Sequence, residues 1–151
     1  MTNLPAGVSP GQIYRDTRYY QTPAGEWKPK YLLVLCGLPG QDVVYRLLTS
    51  PPHGRPESPP CYQGNPYGGF FMGRLGGPLT KNSWVDLRSD SDTDLDGRDF
   101  LDGIRSGGLQ YSQSVDTNLL CQVLGCVASA DDTSFRHERA IRDQMALLSC
   151  P

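Results

Sequence analysis

Lys28-Pro29-Lys30-Tyr31-Leu32-Leu33-Val34-Leu35-Cys36, the break Gly37-Leu38-Pro39-Gly40, and Val43-Val44-Tyr45-Arg46-Leu47-Leu48-Thr49-Ser50 decide the architecture. Two short apolar runs rich in Val, Leu and Tyr, parted by Gly and Pro, read as two buried strands joined by a tight turn. The first strand opens on a cation-proline pair and the second closes on two hydroxyls. Polar groups therefore gather where a small barrel exposes its strand ends, a suitable place for a phosphate.

Working outward, residues 1–10 read as a flexible start containing Pro and Gly, and Gly11-Gln12-Ile13-Tyr14-Arg15 opens an extended segment running to Tyr20, which Thr22-Pro23-Ala24-Gly25 ends. After Ser50 comes a long loop, residues 51–68, whose repeated prolines cannot donate to a ladder. Loops of this length in a compact domain tend to be functional or disordered. Gly69-Phe70-Phe71-Met72-Gly73-Arg74-Leu75 and Asn82-Ser83-Trp84-Val85-Asp86-Leu87 read as two more strands around Gly76-Gly77-Pro78, and Leu109-Gln110-Tyr111 as a closing one. The pattern is a five-strand antiparallel barrel. Residues 89–103 read as an acidic loop. From Ser114 the period becomes helical, with Val115, Leu119, Val123 and Val127 at four-residue steps, Ser114 as cap and Asp116 at the positive helix end. A second helix is expected over about 134–149, with Ile141, Met145 and Leu148 on one side and His137 near that face, partly buried.

A chain of 151 residues, 38% apolar, suits one domain over 11–151. Its charge is uneven: residues 1–84 hold 8 Lys or Arg against 4 Asp or Glu, and residues 85–151 hold 6 against 12. The basic half suits a polyanion; the acidic half would repel one or cover the basic surface. No apolar run approaches the roughly 18–20 residues that span a bilayer, and no basic segment with an apolar core opens the chain. A cytoplasmic location follows as an expectation. Cys36, Cys61, Cys121, Cys126 and Cys150 are odd in number and irregularly spaced, which predicts reduced thiols, with Cys36, Cys121 and Cys126 acting as small buried hydrophobes.

The order of elements resembles the MazF/PemK family of toxin ribonucleases. Gly11-Gln12-Ile13-Tyr14 is similar to that family's opening strand, and Lys28-Pro29-Lys30 through Leu35 to its Arg-Pro-led second strand. Leu47-Leu48-Thr49-Ser50 resembles its strand ending in Thr-Ser or Thr-Thr; Gly69-Phe70, Leu79 to Val85, Gly108-Leu109-Gln110, Ser114-Val115 and Leu119 to Gly125 also fit. The resemblance implies a mainly β fold with C-terminal helices, an SH3-like antiparallel β-barrel. It also implies metal-independent cleavage of single-stranded RNA by the ribose 2′-OH, with no cofactor, in a homodimer restrained by an antitoxin protein. Two departures stand out. Lys28 replaces the family's Arg and lacks its planar fork, and Asp86-Leu87-Arg88 reverses an Arg-x-Asp found in some members.

On that resemblance the catalytic set is Lys28 to stabilise the phosphorane, Thr49 and Ser50 to bind phosphate oxygens, and His53 as general base. Lys30, Arg46, Arg55 and Arg88 add cations for RNA, and Tyr62, with Tyr67, offers a face for an unpaired base. The bland alternatives are solvated His53 and Arg55 on a Pro-rich loop, a simple strand-end turn at Thr49 and Ser50, and tyrosines that fold the loop back onto the barrel. Phe70, Phe71 and Trp84 read as core. Asp92-x-Asp94-x-Asp96-Gly97 matches the start of a calcium loop, but position twelve is Gly103, not the bidentate Glu, so a solvated acidic loop is favoured over a calcium-responsive one. A function of a different class also stands: a noncatalytic barrel of this kind serving as an interaction module for protein or nucleic acid.

Overall fold

The computed structural model describes residues 3–88 and 93–151. Its strands are β1 (Gln12–Gln21), β2 (Trp27–Gly37), β3 (Val43–Thr49), β4 (Cys61–Tyr62), β5 (Gly69–Gly73), β6 (Ser83–Asp86), β7 (Asp94–Leu95) and β8 (Leu109–Ser114). The helices are α1 (Gly97–Ser106), between β7 and β8, then α2 (Thr117–Ala128) and α3 (Phe135–Leu147). The protein is mainly β. Its antiparallel sheet runs β4-β5-β6-β3-β2-β1-β8, and among the described residues the two ends of that path do not pair. β3 is the hub: one edge takes β2, while the other takes β7 at Val43 and Val44 and β6 at Leu48 and Thr49.

Both faces of the sheet are buried at its centre, over the second half of β2 and most of β3, which is why those stretches read as continuous apolar runs rather than alternating ones. One face sets Ile13, Leu33, Leu35, Val44 and Leu48 against Leu120, Val123, Leu124 and Val127 of α2 and Ile141 of α3. The other sets Tyr14, Leu32, Val34, Val43 and Tyr45 against Phe100 of α1, Leu109, and Leu4 and Val8. Phe70 and Trp84 are core as expected, and Phe71 is half-buried.

Three expectations are corrected here. Residues 3–10, expected as part of a flexible start, pack against the sheet: Leu4 and Val8 are buried, and the backbone of Asn3 lies so close to Gly37 that a Cβ there would sit 2.5 Å from it. Of the acidic loop, 89–92 fall outside the described residues, while 94–95 form β7 and α1 begins at Gly97. Asp96 caps α1 by accepting from the Arg98 and Asp99 amides, Gly107 ends it at φ 83°, and fully buried Phe100 anchors it. Finally, α2 is capped by Asp116, which accepts from the Leu119 amide, whereas Ser114 still belongs to β8.

The thiols are also corrected. Cys61 is bonded to Cys126 and Cys121 to Cys150, leaving only Cys36 free. An odd count hid two complete pairs plus one buried thiol, whose pKa burial pushes up to about 12. Structural disulfides are uncommon in reducing compartments, so the expectation of reduced thiols falls, and the two bridges lend no support to the cytoplasmic location expected from the apolar runs and the opening segment. No described helix is long and apolar enough to cross a membrane.

His137 ties α3 to β7. It is buried as expected, with Nε2 2.6 Å from the Asp94 carboxylate. Burial pushes its pKa below the usual value, with Arg46 and Arg136 adding to that, against the pull of the Asp94 hydrogen bond. A depressed folded pKa means the unfolded chain binds the proton more readily. Stability is therefore full above the unfolded pKa of about 6.5 and lost as pH falls from there through the folded value. Urea midpoints measured downward from neutral pH should fall, and His137→Gln should remove that part of the slope; an unchanged slope in the variant would rule His137 out as its source.

Candidate nucleic-acid interface

An open cavity of about 340 Å³ lies where β2 opens and β3 closes, and its walls include Lys28, Lys30, Thr49, Ser50, Thr80 and Lys81. The strands explain the gathering. β1 pairs Tyr20 with Lys28, and β3 pairs Thr49 with Trp84 of β6, so the start of β2 and the end of β3 meet the 78–83 segment that leads into β6. Pro29 and Pro78 also line the cavity, fixing backbone at its wall. Lys28 has a carboxylate at hand, Glu26 at 3.6 Å, with both side chains substantially exposed. Among the described residues Lys30 and Lys81 have no ion-pair partner. Tyr20, 47% exposed, and Tyr31 bring rings to the same cavity.

Four expected site residues, Lys28, Lys30, Thr49 and Ser50, thus share one cavity. Tyr20, Tyr31, Thr80 and Lys81 were not foreseen. The signal for Tyr20 was its place across a hairpin from Lys28; Thr80 and Lys81 stand just before a strand known to neighbour β3 only once the sheet is assembled.

His53 is elsewhere. His53 and Gly54 both take left-handed backbone, at φ 46° and 84°, and neither lines the cavity. The imidazole stacks on Tyr67, with centroids 5.0 Å apart and planes 26° apart. Arg55, expected on RNA, has a wholly buried side chain: Nε donates to the Gly68 carbonyl at 2.9 Å and Nη2 lies 3.4 Å from Asp86. Gly69 makes room for it, since a Cβ there would stand 2.5 Å from the Arg55 Cδ.

The reversed Asp86-x-Arg88 pair closes on itself. Arg88 Nη2 donates to Asp86 Oδ2 at 2.8 Å and Nε to Oδ1 at 3.1 Å, while its guanidinium lies 4.5 Å from the Tyr67 ring centroid. Burial would raise the Asp86 pKa, but hydrogen bonds and charge from Arg88, helped by Arg55, hold it below the ordinary value. Burial lowers that of Arg55. This cluster fastens the 51–68 loop to the sheet.

Arg46, also expected on RNA, is 1% exposed and cannot meet a ligand at the surface. Nη1 donates to the Tyr45 carbonyl at 2.8 Å, and burial lowers its pKa to about 10. Tyr62 is half-buried in β4 and folds over Gly64, where a Cβ would collide with its ring at 2.1 Å. The bland reading of the loop aromatics is the one observed for Tyr62 and Tyr67.

The calcium reading finds its residues otherwise engaged. Asp96 caps α1, Asp94 meets His137, and Asp92 lies outside the described residues. What the cavity offers chemically is a set of ammonium groups, hydroxyls and aromatic faces, a combination suited to a phosphodiester with unpaired bases. No family model matches the chain, and neither a curated protein nor a solved structure matches it.

Proposed function

We propose that this chain is a diverged MazF/PemK-like endoribonuclease, its sheet a variant of the SH3-like barrel, cleaving single-stranded RNA at the Lys28 cavity under the restraint of an antitoxin protein. One observation carries the reading: Lys28, Lys30, Thr49, Ser50 and Lys81 line a single open cavity. Tyr20 at its wall and the half-exposed Trp27 beside it in β2 offer stacking faces, each worth about 1–3 kcal/mol to a bound base. Single strands present such bases, whereas a duplex hides them.

In the proposed reaction the ribose 2′-oxygen bonds to the adjacent phosphorus while the bond from phosphorus to the 5′-oxygen breaks. The products are a 2′,3′-cyclic phosphate and a 5′-hydroxyl. Negative charge grows on the non-bridging oxygens, where Lys28 and Lys30 stabilise it and Thr49 and Ser50 donate hydrogen bonds. The 2′-OH proton passes to solvent water, since neither His53 nor Glu26 lines the cavity, and the leaving oxygen is protonated from solvent. The reaction as drawn needs no metal.

Cleavage of a mixed-sequence single-stranded RNA in EDTA, with end-group analysis, tests this. Cyclic-phosphate ends should form, and Lys28→Ala should slow the cut about 10²–10³-fold, the usual effect of removing one group that stabilises developing charge. Thermal unfolding should hardly change, since Lys28 is exposed. RNA left intact by folded wild-type protein would overturn the nuclease reading.

A specific observation favours a second reading, the noncatalytic interaction module: neither a His nor a carboxylate is among the residues that line the cavity itself. Under that reading the RNA binds, Lys28→Ala weakens binding, and no product forms.

A further inference from the structure

We propose that the cavity along α3 binds a guanosine 5′-phosphate group. It is the largest described cavity, about 990 Å³, and runs between the helix and the 37–39 turn. A cavity of that size suits a small ligand. It shares no residue with the cavity at Lys28, so its ligand stands whether or not RNA is cut.

Gln144 marks a built site. The residue is 5% exposed yet lines the cavity, and its side-chain amide makes no hydrogen bond with the described residues. A buried amide without a partner is destabilising, and an apolar side chain of similar size would avoid that loss. The amide therefore points to a polar ligand. Arg136 and Arg139 line the same cavity, and neither has an ion-pair partner among the described residues. Arg136 stands in the first turn of α3, where the positive end of the helix also favours an anion. Glu138, in that turn as well, is held by Arg142 at 2.8 Å and does not line the cavity.

Order along the helix identifies the ligand. From the two guanidiniums to Asp143 and Gln144 is roughly 9 Å along the axis at the usual helical rise, which matches the span from the phosphate of a mononucleotide to the far edge of its base. Pro39 and Ala140 add apolar wall for a flat ring. At the far end the ionised Asp143 only accepts hydrogen bonds, while the Gln144 amide both donates and accepts. Guanine uses both: its N1–H and its amine donate to the carboxylate, and its O6 accepts from the amide. Adenine would leave the carboxylate unused or set the N1 lone pair against it. An acidic peptide would oppose Asp143, and a basic one the two arginines.

Isothermal titration of the full chain under non-reducing conditions with guanosine 5′-monophosphate (GMP) tests this. GMP should bind, and AMP at least about tenfold more weakly, because a site built to meet hydrogen-bonding groups rejects the analogue that lacks them. Arg139→Gln should weaken GMP about tenfold while leaving guanosine, which has no phosphate, unchanged. Asp143→Asn should exchange the preference from GMP to xanthosine monophosphate, since the new amide donates to the carbonyl that xanthine carries where guanine has its amine. Both positions are exposed, and unchanged circular dichroism verifies that the variants fold. The dinucleotide pGpA carries the same group at a chain end: affinity equal to that of GMP assigns the site to RNA termini as well, and weaker binding assigns it to the free nucleotide. No saturable heat at millimolar GMP, equal affinity for AMP, GMP binding indifferent to Arg139→Gln, or an Asp143→Asn protein that still prefers GMP would each overturn the proposal.

Discussion

Asp86→Ala should destabilise the protein by about 3–5 kcal/mol, the usual range when one partner of a buried ion pair is removed and the other charge is left behind. The carboxylate faces two guanidiniums of unlike freedom. Arg88, with its side chain 35% exposed, can turn to water, but Arg55 is wholly buried and held at Gly68, where it cannot. The cost therefore comes chiefly from the stranded Arg55 charge. Urea unfolding measures it as a lower midpoint at unchanged slope. The double variant Arg55→Met with Asp86→Leu should recover much of the loss, because replacing both charges with apolar groups leaves nothing stranded. If Asp86→Ala and the double variant unfold at the same midpoint, Arg55 is not the source of the cost.

Replacing Cys61 and Cys126 together with Ser should cost about 4 kcal/mol, as the chain-entropy relation gives for a closed loop of this length. The bridge spans 65 residues and joins the short strand β4 to α2. Beyond constraining the unfolded chain, it fixes the far end of the 51–68 loop, where Gln63 also donates to the Cys126 carbonyl at 3.0 Å. Loss of the bridge should therefore raise protease sensitivity in this loop before the β2–β3 hairpin is affected. Chemical denaturation in reductant provides the control: with both bridges open, Cys61–Cys126 and Cys121–Cys150 alike, wild type and variant should unfold at nearly the same midpoint. A variant as stable as the oxidised wild type would show that the bridge adds nothing.

The main strands were legible because β-branched and aromatic runs alternate with Gly and Pro; β1, β2, β3, β5, β6 and β8 all fall within a few residues of their expected places. α3 and most of α2 were legible through four-residue spacing. α1 was not, because Asp96, Asp99 and Asp102 read as a solvated loop. Its face turns on Phe100 with Leu101 and Ile104, too short a pattern to outweigh the acids until a second sheet face demands cover. At the site, strand-end residues were readable since their position follows from the strands themselves. Loop residues were not: His53 and Gly54 take left-handed backbone and neither lines the cavity, and whether Arg55 faces RNA or a buried carboxylate depends on pairing Gly69 with Asp86 across β5 and β6. Arg46 misled for a related reason. A cation in a strand ordinarily marks a wet face, but β3 has none.

β1 hydrogen-bonds on one side to β2, made almost at once, and on the other to β8, where Gln12 meets Ser114. During synthesis from the N-terminus, the first hairpin, complete at Gly37, must wait until β8 ends at Ser114 before its outer edge is covered. The ribosome releases β1 long before it releases the strand that shields it. A bare strand edge is a template for wrong pairing, and closure over such a sequence separation is slow. Newly made chains would thus expose the β1 edge, which the finished molecule keeps covered by β8, and crowding among neighbouring ribosomes on one message should lower the yield of folded protein.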